Sequence, residues 1–195
     1  LLRAVAAEAE AASLLLDLVE EVVRDLLLGR PIKDFDFVIE GDAIGLGQRL
    51  VAKLGGRQTS HRRFGTAVWH LEGVNGELPE AIDLISARRE RYPHPGALPE
   101  VSFGDIQQDL LRRDFSINTL ALRLDGVHFG RLLDPLSGLA DLAAGQLRVL
   151  HDRSFMDDPT RILRILRFAA RLDFTIESRT ATWLGVALPG LGEIS

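Results

Sequence analysis

Residues 17–41 read DLVEEVVRDLLLGRPIKDFDFVIEG, and the fold turns on how they divide between helix and strand. After Gly29-Arg30-Pro31, which stops a helix, FDFVIEG (35–41) alternates apolar and polar residues with the period of a half-buried strand. Asp34 and Asp36, two apart, then project from one face. Left unpaired, the two charges repel; a hard divalent cation, which takes oxygen ligands, relieves that repulsion. The part before Gly29 is ambiguous. Leu14, Leu18, Val22 and Leu26 fall at helical spacing and Glu20 has Arg24 as an i, i+4 partner, so propensity favours one amphipathic helix over 13–28.

Working outward, residues 1–28 contain no proline or glycine and read as one or two helices. Downstream, AIGLGQRLVAKLGG (43–56) is a helix closed by glycines, and TAVWHLEG pairs with EAIDLIS across an Asn75-Gly76 turn. From Ala87 to Asp109, prolines 93, 95 and 99 with Gly96 break regular structure and predict a mobile loop. Asp125-Gly126 is a second hairpin signal. From Asp157 onward, Ile162, Ile165, Leu166 and Ala169 have helical spacing, with Asp158 as N-cap and Pro159 at the first helical position. The class is mixed α/β followed by helices, without repeats.

The 195 residues, 46% hydrophobic, can bury a sizeable core, and their number suggests one domain or one domain plus an incomplete second; we treat the chain as a fragment. No apolar run is long enough to cross a bilayer and LLRAVAAEAEAA has no signal-peptide layout, so the expected location is the cytoplasm, with no membrane partner. The absence of cysteine excludes disulfides and thiolate metal sites, and the five histidines never fall at zinc-ligand spacing. Any metal must be held by carboxylates. A net charge of −5 argues against a surface that coats nucleic acid throughout, although arginines cluster at 62–63, 88–91, 112–113 and 161–171.

An isolated Asp-x-Asp is more often a solvated strand end than a catalytic pair; its company decides. Asp83, within the apolar AIDLI, is costly to bury unpartnered, and hairpin pairing can bring it beside Asp34 and Asp36. Three such carboxylates suit two-metal phosphoryl chemistry. RRDFSIN (112–118) and DDPTR (157–161) add acids and arginines, each alone no more than a surface cluster or a capped helix.

Taken in order, VVRDLLLGRPIKDFDFVIEGD, FGTA, AIDLISARRERYPHPGALPEV, DLLRRDFSINTLAL, LLDPLSGLADL and DDPTRILRILRFAARL resemble the head and neck of the bacterial tRNA nucleotidyltransferase / poly(A) polymerase family, the CCA-adding enzymes. The resemblance runs from about Val19 to Thr180. It implies a polymerase beta-like nucleotidyltransferase head, a mixed sheet with flanking helices over 1–150, and the start of an all-helical neck over 151–195. It implies Mg²⁺ on Asp34, Asp36 and Asp83 as the catalytic carboxylates. Arg24 and Arg113 would meet the triphosphate, and Asp114 and Asn118 the sugar and phosphate side. Asp158 and Arg161 would read the base of CTP or ATP, with Arg164 and Arg167 completing that edge. A carboxylate accepts from an exocyclic amine and a guanidinium donates to a ring nitrogen or carbonyl, which suits cytosine and adenine and not uracil. The implied reaction transfers CMP or AMP to the 3′ end of tRNA without a template, with no DNA partner; the regions that grip tRNA lie outside these residues. Poly(A) synthesis, addition of C or A alone, and a catalytically silent scaffold are the other readings.

One departure stands out. Where the family carries a glycine pair before VRD, to turn the chain sharply against phosphate oxygens, this chain has Glu20-Glu21, and Asp17 stands where that family's strand is apolar. At ~6 Å and an effective dielectric of about 20, each carboxylate-phosphate pair costs roughly 3 kcal/mol. The resemblance implies strand-turn-helix over 13–28 and propensity implies helix; the sequence leaves both open.

Overall fold

The computed structural model describes residues 1–32, 34–72, 79–94 and 96–189. The elements up to the second half of the sheet are α1 (Leu2–Ala11), β1 (Leu15–Val19), α2 (Glu21–Leu27), β2 (Asp36–Glu40), α3 (Ala43–Leu54), β3 (Arg57–His61), β4 (Thr66–His70) and β5 (Ala81–Ser86). There follow β6 (Arg88–Arg91), β7 (Glu100–Phe103), α4 (Ile106–Leu111), β8 (Ala121–Arg123), β9 (Leu132–Leu133), α5 (Gly138–Ala144) and β10 (Gln146–Leu147). The chain closes with α6 (Ser154–Asp157), α7 (Thr160–Leu172), β11 (Thr175–Ile176) and α8 (Ser178–Ala187).

Seven strands form one mixed sheet in the order β3-β4-β5-β2-β1-β8-β9, in which β2 and β5 run parallel and the other pairs antiparallel. Strand-turn-helix wins over 13–28. Strand β1 pairs β2 on one side and β8 on the other, so its backbone polar groups are satisfied in the middle of the sheet and its side chains follow period two. Leu16 and Leu18 point into the main apolar cluster, while Val19 lies in a second one. The Glu20 to Arg24 helical pair does not form: Glu20 pairs with Arg113, and Arg24 with Glu21 and Asp25.

The two faces of the sheet are covered differently. Phe37 and Ile39 of β2 join Leu46 and Leu50 of α3 and, from the C-terminal helices, Phe155, Ile162, Ile165, Phe168 and Leu172 in one cluster. On the opposite face Val19, Val38 and Ala121 meet Ile106 and Leu110 of α4, with Ile85 packed against them. Alternation puts Asp17, Asp36 and Asp83 on that second face as well. Helix α4 starts at a capping box in which Asp105 and Gln108 bond each other's backbone N–H.

Three further expectations change. The segment Ala87–Asp109 is not one loop: β6 and β7 pair antiparallel, Arg88 opposite Phe103 and Arg91 opposite Glu100, and α4 begins at Ile106. Proline 93 and Pro99 fall on its tip, where no ladder bond is lost. Helix α7 buries Ile162, Ile165 and Phe168 but leaves Leu166 50% exposed. Asp158 caps it from one residue further out, its Oδ1 accepting from Thr160 N at 3.0 Å. The Asp125-Gly126 signal holds in that β8 and β9 pair, although the connection includes a 3-10 turn at Gly126–His128. The strands β4 and β5 pair as expected, with Val68 opposite Asp83, whereas the Asn75-Gly76 turn lies outside the described residues.

Candidate active site

The carboxylates are positioned by strand register. Asp36 opens β2 and lies opposite Asp83 of β5 on one side and Val19 of β1 on the other, so Glu20, the next residue, stands beside the pair. Asp34 immediately precedes β2. Burial pushes the Asp36 carboxyl up to about 7, with Glu20 and Asp83 adding to the rise, Arg113 opposing it and Asp34 contributing. Asp83 is also raised, by burial first and then by Asp34 and Glu20, against His70. All three aspartates thus feel one another. Among the described residues, however, no group of three or more His, Asp or Glu is closed into a metal-holding set. The donors are hard oxygens under mutual repulsion, which fits a divalent cation of the magnesium or manganese kind.

Glu20 occupies the turn between β1 and α2 at φ 61° and ψ −131°, a conformation that glycine adopts freely and a residue with a Cβ does not. Its carboxylate is ion-paired with Arg113, whose other arm donates to Asp109 Oδ2 at 2.6 Å. Burial opposes the Arg113 charge, yet Glu20 and Asp109 together hold its pKa above the ordinary arginine value. Asp109 in turn is held low despite burial, because Arg113 and Arg112 both bind it. Both terminal nitrogens of Arg113 are therefore engaged by acids of this chain, while its buried Nε has no hydrogen-bond partner among the described residues. Glu21 faces elsewhere: its carboxylate lies 2.9 Å from Arg171 and 3.3 Å from Arg24.

A cleft of about 840 Å³ runs from this ion pair to the start of α7, lined among others by Glu20, Arg113, Asp114, Arg164, Asp158 and Arg161. Asp114 Oδ2 accepts from Arg164 Nε at 2.8 Å, and Asp114 Oδ1 accepts from Asn118 Nδ2 at 2.9 Å. That contact raises the Arg164 pKa against the effect of burial. Arg161 is fixed from three sides: Nη1 donates to Ser154 Oγ at 2.7 Å, Nη2 to the Arg112 carbonyl at 2.8 Å, and Nε lies 3.7 Å from Asp158. Asp158 and Arg161 thus present an acceptor and a donor side by side, the arrangement that matches an amine next to a ring nitrogen.

Six expected residues do not line the cleft: Asp34, Asp36 and Asp83, the buried Asn118, and Arg24 and Arg167. Asp34 lines a separate small pocket with Glu21, Asp25 and Arg171. Arg24 is fully buried, not on the wall: its guanidinium donates to Asp25 Oδ1 at 2.8 and 2.9 Å and to Asn118 Oδ1 at 3.1 Å, and it lies over the Phe168 ring. It orients Asn118, which is itself buried. Arg167 is exposed on α7 and does not line the cleft, because Ile165 and Phe168 take the inward positions. Conversely, Glu90, Tyr92 and Arg112 line the cleft and were not singled out from sequence. For Glu90 and Tyr92 the signal was the alternation within RRERY, hidden by the proline-rich tip that follows, whereas Arg112 opens the RRDFSIN stretch already noted.

Among the described residues no helix is long and apolar enough to cross a membrane. Residues 16–148 match the family described as the Poly A polymerase head domain. The A-adding tRNA nucleotidyltransferase of Halalkalibacterium halodurans is 45% identical over 174 residues, 89% of this chain and 40% of the relative. The CC-adding tRNA nucleotidyltransferase of Deinococcus radiodurans is 43% identical over 159 residues, 81% of this chain and 41% of the relative. An apo CCA-adding enzyme structure superposes with a TM-score of 0.89 at 39% identity, covering 97% of this chain and 43% of that one. A tRNA nucleotidyltransferase solved with a primer tRNA and an incoming ATP analog gives 0.81 at 37% identity, covering 96% and 50%. The chain spans less than half the length of the curated relatives named here. Nucleotidyltransferases generally use divalent metal ions. With the motifs in order, the register of the aspartates and a family match over most of its length, the chain belongs to the Poly A polymerase head-domain family.

Proposed function

We propose that this chain is the nucleotide-selecting head of an enzyme that adds CMP or AMP to the 3′ end of tRNA, using CTP or ATP and no template. The observation that carries the reading is the cleft lined by Asp158, Arg161, Arg113, Asp114 and Arg164. Asp36 and Asp83 do not line it but stand opposite each other in the sheet, and Asp36 interacts electrostatically with Glu20 and Arg113 on its wall. Asp158 accepts the exocyclic amine and Arg161 donates to the ring. Arg113 and Arg164 receive phosphate oxygens, and Asp114, braced by Asn118, meets the sugar. Asp36 and Asp83, with Asp34 before them in the chain, are the residues that would hold the cation; Mg²⁺ bound there would help ionise the attacking hydroxyl and screen the leaving pyrophosphate. Residues 1–150 form the head in this reading and 151–195 the opening of a helical neck.

The phosphate end is closed by the chain's own charge. Glu20 holds the arginine that a triphosphate needs and adds a carboxylate beside Asp36, so triphosphate binding is weakened as the chain stands. Three relatives at 44–45% identity are named A-adding enzymes and one at 43% a CC-adding enzyme, so both ATP and CTP enter the test. The test is incorporation by the double variant Glu20→Gly, Glu21→Gly on tRNA lacking its terminal nucleotides, with ATP, CTP or UTP. Incorporation from ATP or CTP and not UTP is expected; equal use of UTP overturns the reading.

A further inference from the structure

Tyr92, one residue past β6, lines the same cleft as Asp158 and Arg161. Its hydroxyl donates to Glu90 Oε2 at 3.0 Å. The other Glu90 oxygen, Oε1, accepts from Arg88 Nη2 at 2.9 Å and from Arg112 Nη1 at 3.3 Å. A carboxylate held this way has only acceptor sites to offer, so the single phenolic proton is committed to it. What the Tyr92 oxygen has left for the cleft is lone pairs. Burial and Glu90 push the phenol up to about 12, so it stays a neutral hydroxyl at physiological pH.

We propose that Tyr92 is a specificity-determining acceptor of the nucleobase pocket, oriented by Glu90 so that its oxygen receives an exocyclic amine and opposes a carbonyl at the same edge. The proposal rests on Asp158 and Arg161 being the base readers. An amine has two N–H groups; Asp158 takes one and Tyr92 the other. A base with a carbonyl in that place, such as uracil or hypoxanthine, meets two acceptors and no donor. Glu90 is a positioning residue. It fixes the direction of the Tyr92 proton and, by holding the Arg112 side chain, steadies the residue whose carbonyl accepts from Arg161 Nη2 at 2.8 Å. The frame therefore ties acceptor and donor to one short stretch of chain.

The test uses nucleosides, which carry no phosphate and so bypass Glu20. Cytidine, adenosine, uridine and inosine are titrated by NMR into the unaltered chain and into Tyr92→Phe, Glu90→Gln and Asp158→Asn. In Tyr92→Phe the cytidine-to-uridine affinity ratio is expected to fall roughly three- to ten-fold, the range of one hydrogen bond, through weaker cytidine binding. In Glu90→Gln the arginines attract the amide oxygen, which turns the amide N–H₂ toward Tyr92 and frees the phenolic proton for the cleft. Uridine and inosine binding should then rise. If Glu90→Gln weakens all four nucleosides alike, its role is merely structural and the assignment fails. If Asp158→Asn collapses the ratio while Tyr92→Phe leaves it unchanged, Tyr92 has no part in selection and the base readers stand. If the unaltered chain shows no preference for cytidine over uridine, the base-reading pair itself is refuted, and Tyr92 with it.

Discussion

Asp17 lies in the middle of the sheet with no solvent exposure, and neither carboxylate oxygen has a hydrogen bond among the described residues, although Arg123 Nε stands 3.1 Å away. Burial pushes its pKa from 3.8 up to about 7, with Arg123 opposing. The sign follows directly. Because the folded value lies above the unfolded one, the folded protein holds this proton more tightly between about pH 4 and 7, so the stability of the fold falls as pH rises through that window. Roughly three units correspond to about 4 kcal/mol lost at pH 8 relative to pH 4. Valine at this position removes the charge and suits a central strand, and Arg123 keeps Asp125 at 3.3 Å. Asp17→Val is therefore expected to exceed the parent in urea-melt stability, by a margin that grows from pH 5 to pH 8; a margin independent of pH contradicts this account of Asp17.

Elements were legible where one period dominated and illegible where two competed. Strand β2 follows from the Phe35-Asp36-Phe37 alternation running into the short apolar run Phe37-Val38-Ile39, buried on both faces of the sheet, and helix α3 from the period-3.6 pattern in AIGLGQRLVAKL. Strand β1 could not be read, because LLDLV continues a helical spacing on both sides and only pairing with β2 and β8 resolves it. The hairpin β6-β7 was masked by prolines that belong to its tip. In α7 the pattern gave the right helix and one wrong inward residue, Leu166 in place of Phe168, whose ring packs edge-on to Phe115 at 5.6 Å and beneath Arg24 and Arg164. Phe168→Ala should cost about 3–5 kcal/mol in a denaturant melt, while Leu166→Ala should stay within roughly 0.5–1 kcal/mol. Equal losses would mean that the inward face of α7 is misplaced.

At the scale of the whole molecule, the site draws on a strand register, a turn, the end of α4 and the start of α7. The residue types and their order were visible in the chain, and so were the aspartates, Arg113, Asp114, Asp158 and Arg161. Which arginines face the cleft was not, since Arg24 and Arg167 differ from Arg113 and Arg164 only in where packing turns them. Nor could sequence show that the two glutamates part company, Glu20 toward Arg113 and Glu21 toward Arg171 and Arg24. On the proposed reading, that divergence assigns closure of the phosphate end to Glu20 alone. The direct measurement is a calorimetric titration of Mg²⁺-CTP into the parent chain and into Glu20→Gly. Removing one carboxylate beside the phosphates should tighten binding by about two decades. Equal affinities for the two proteins would contradict the claim that Glu20 holds the triphosphate site shut.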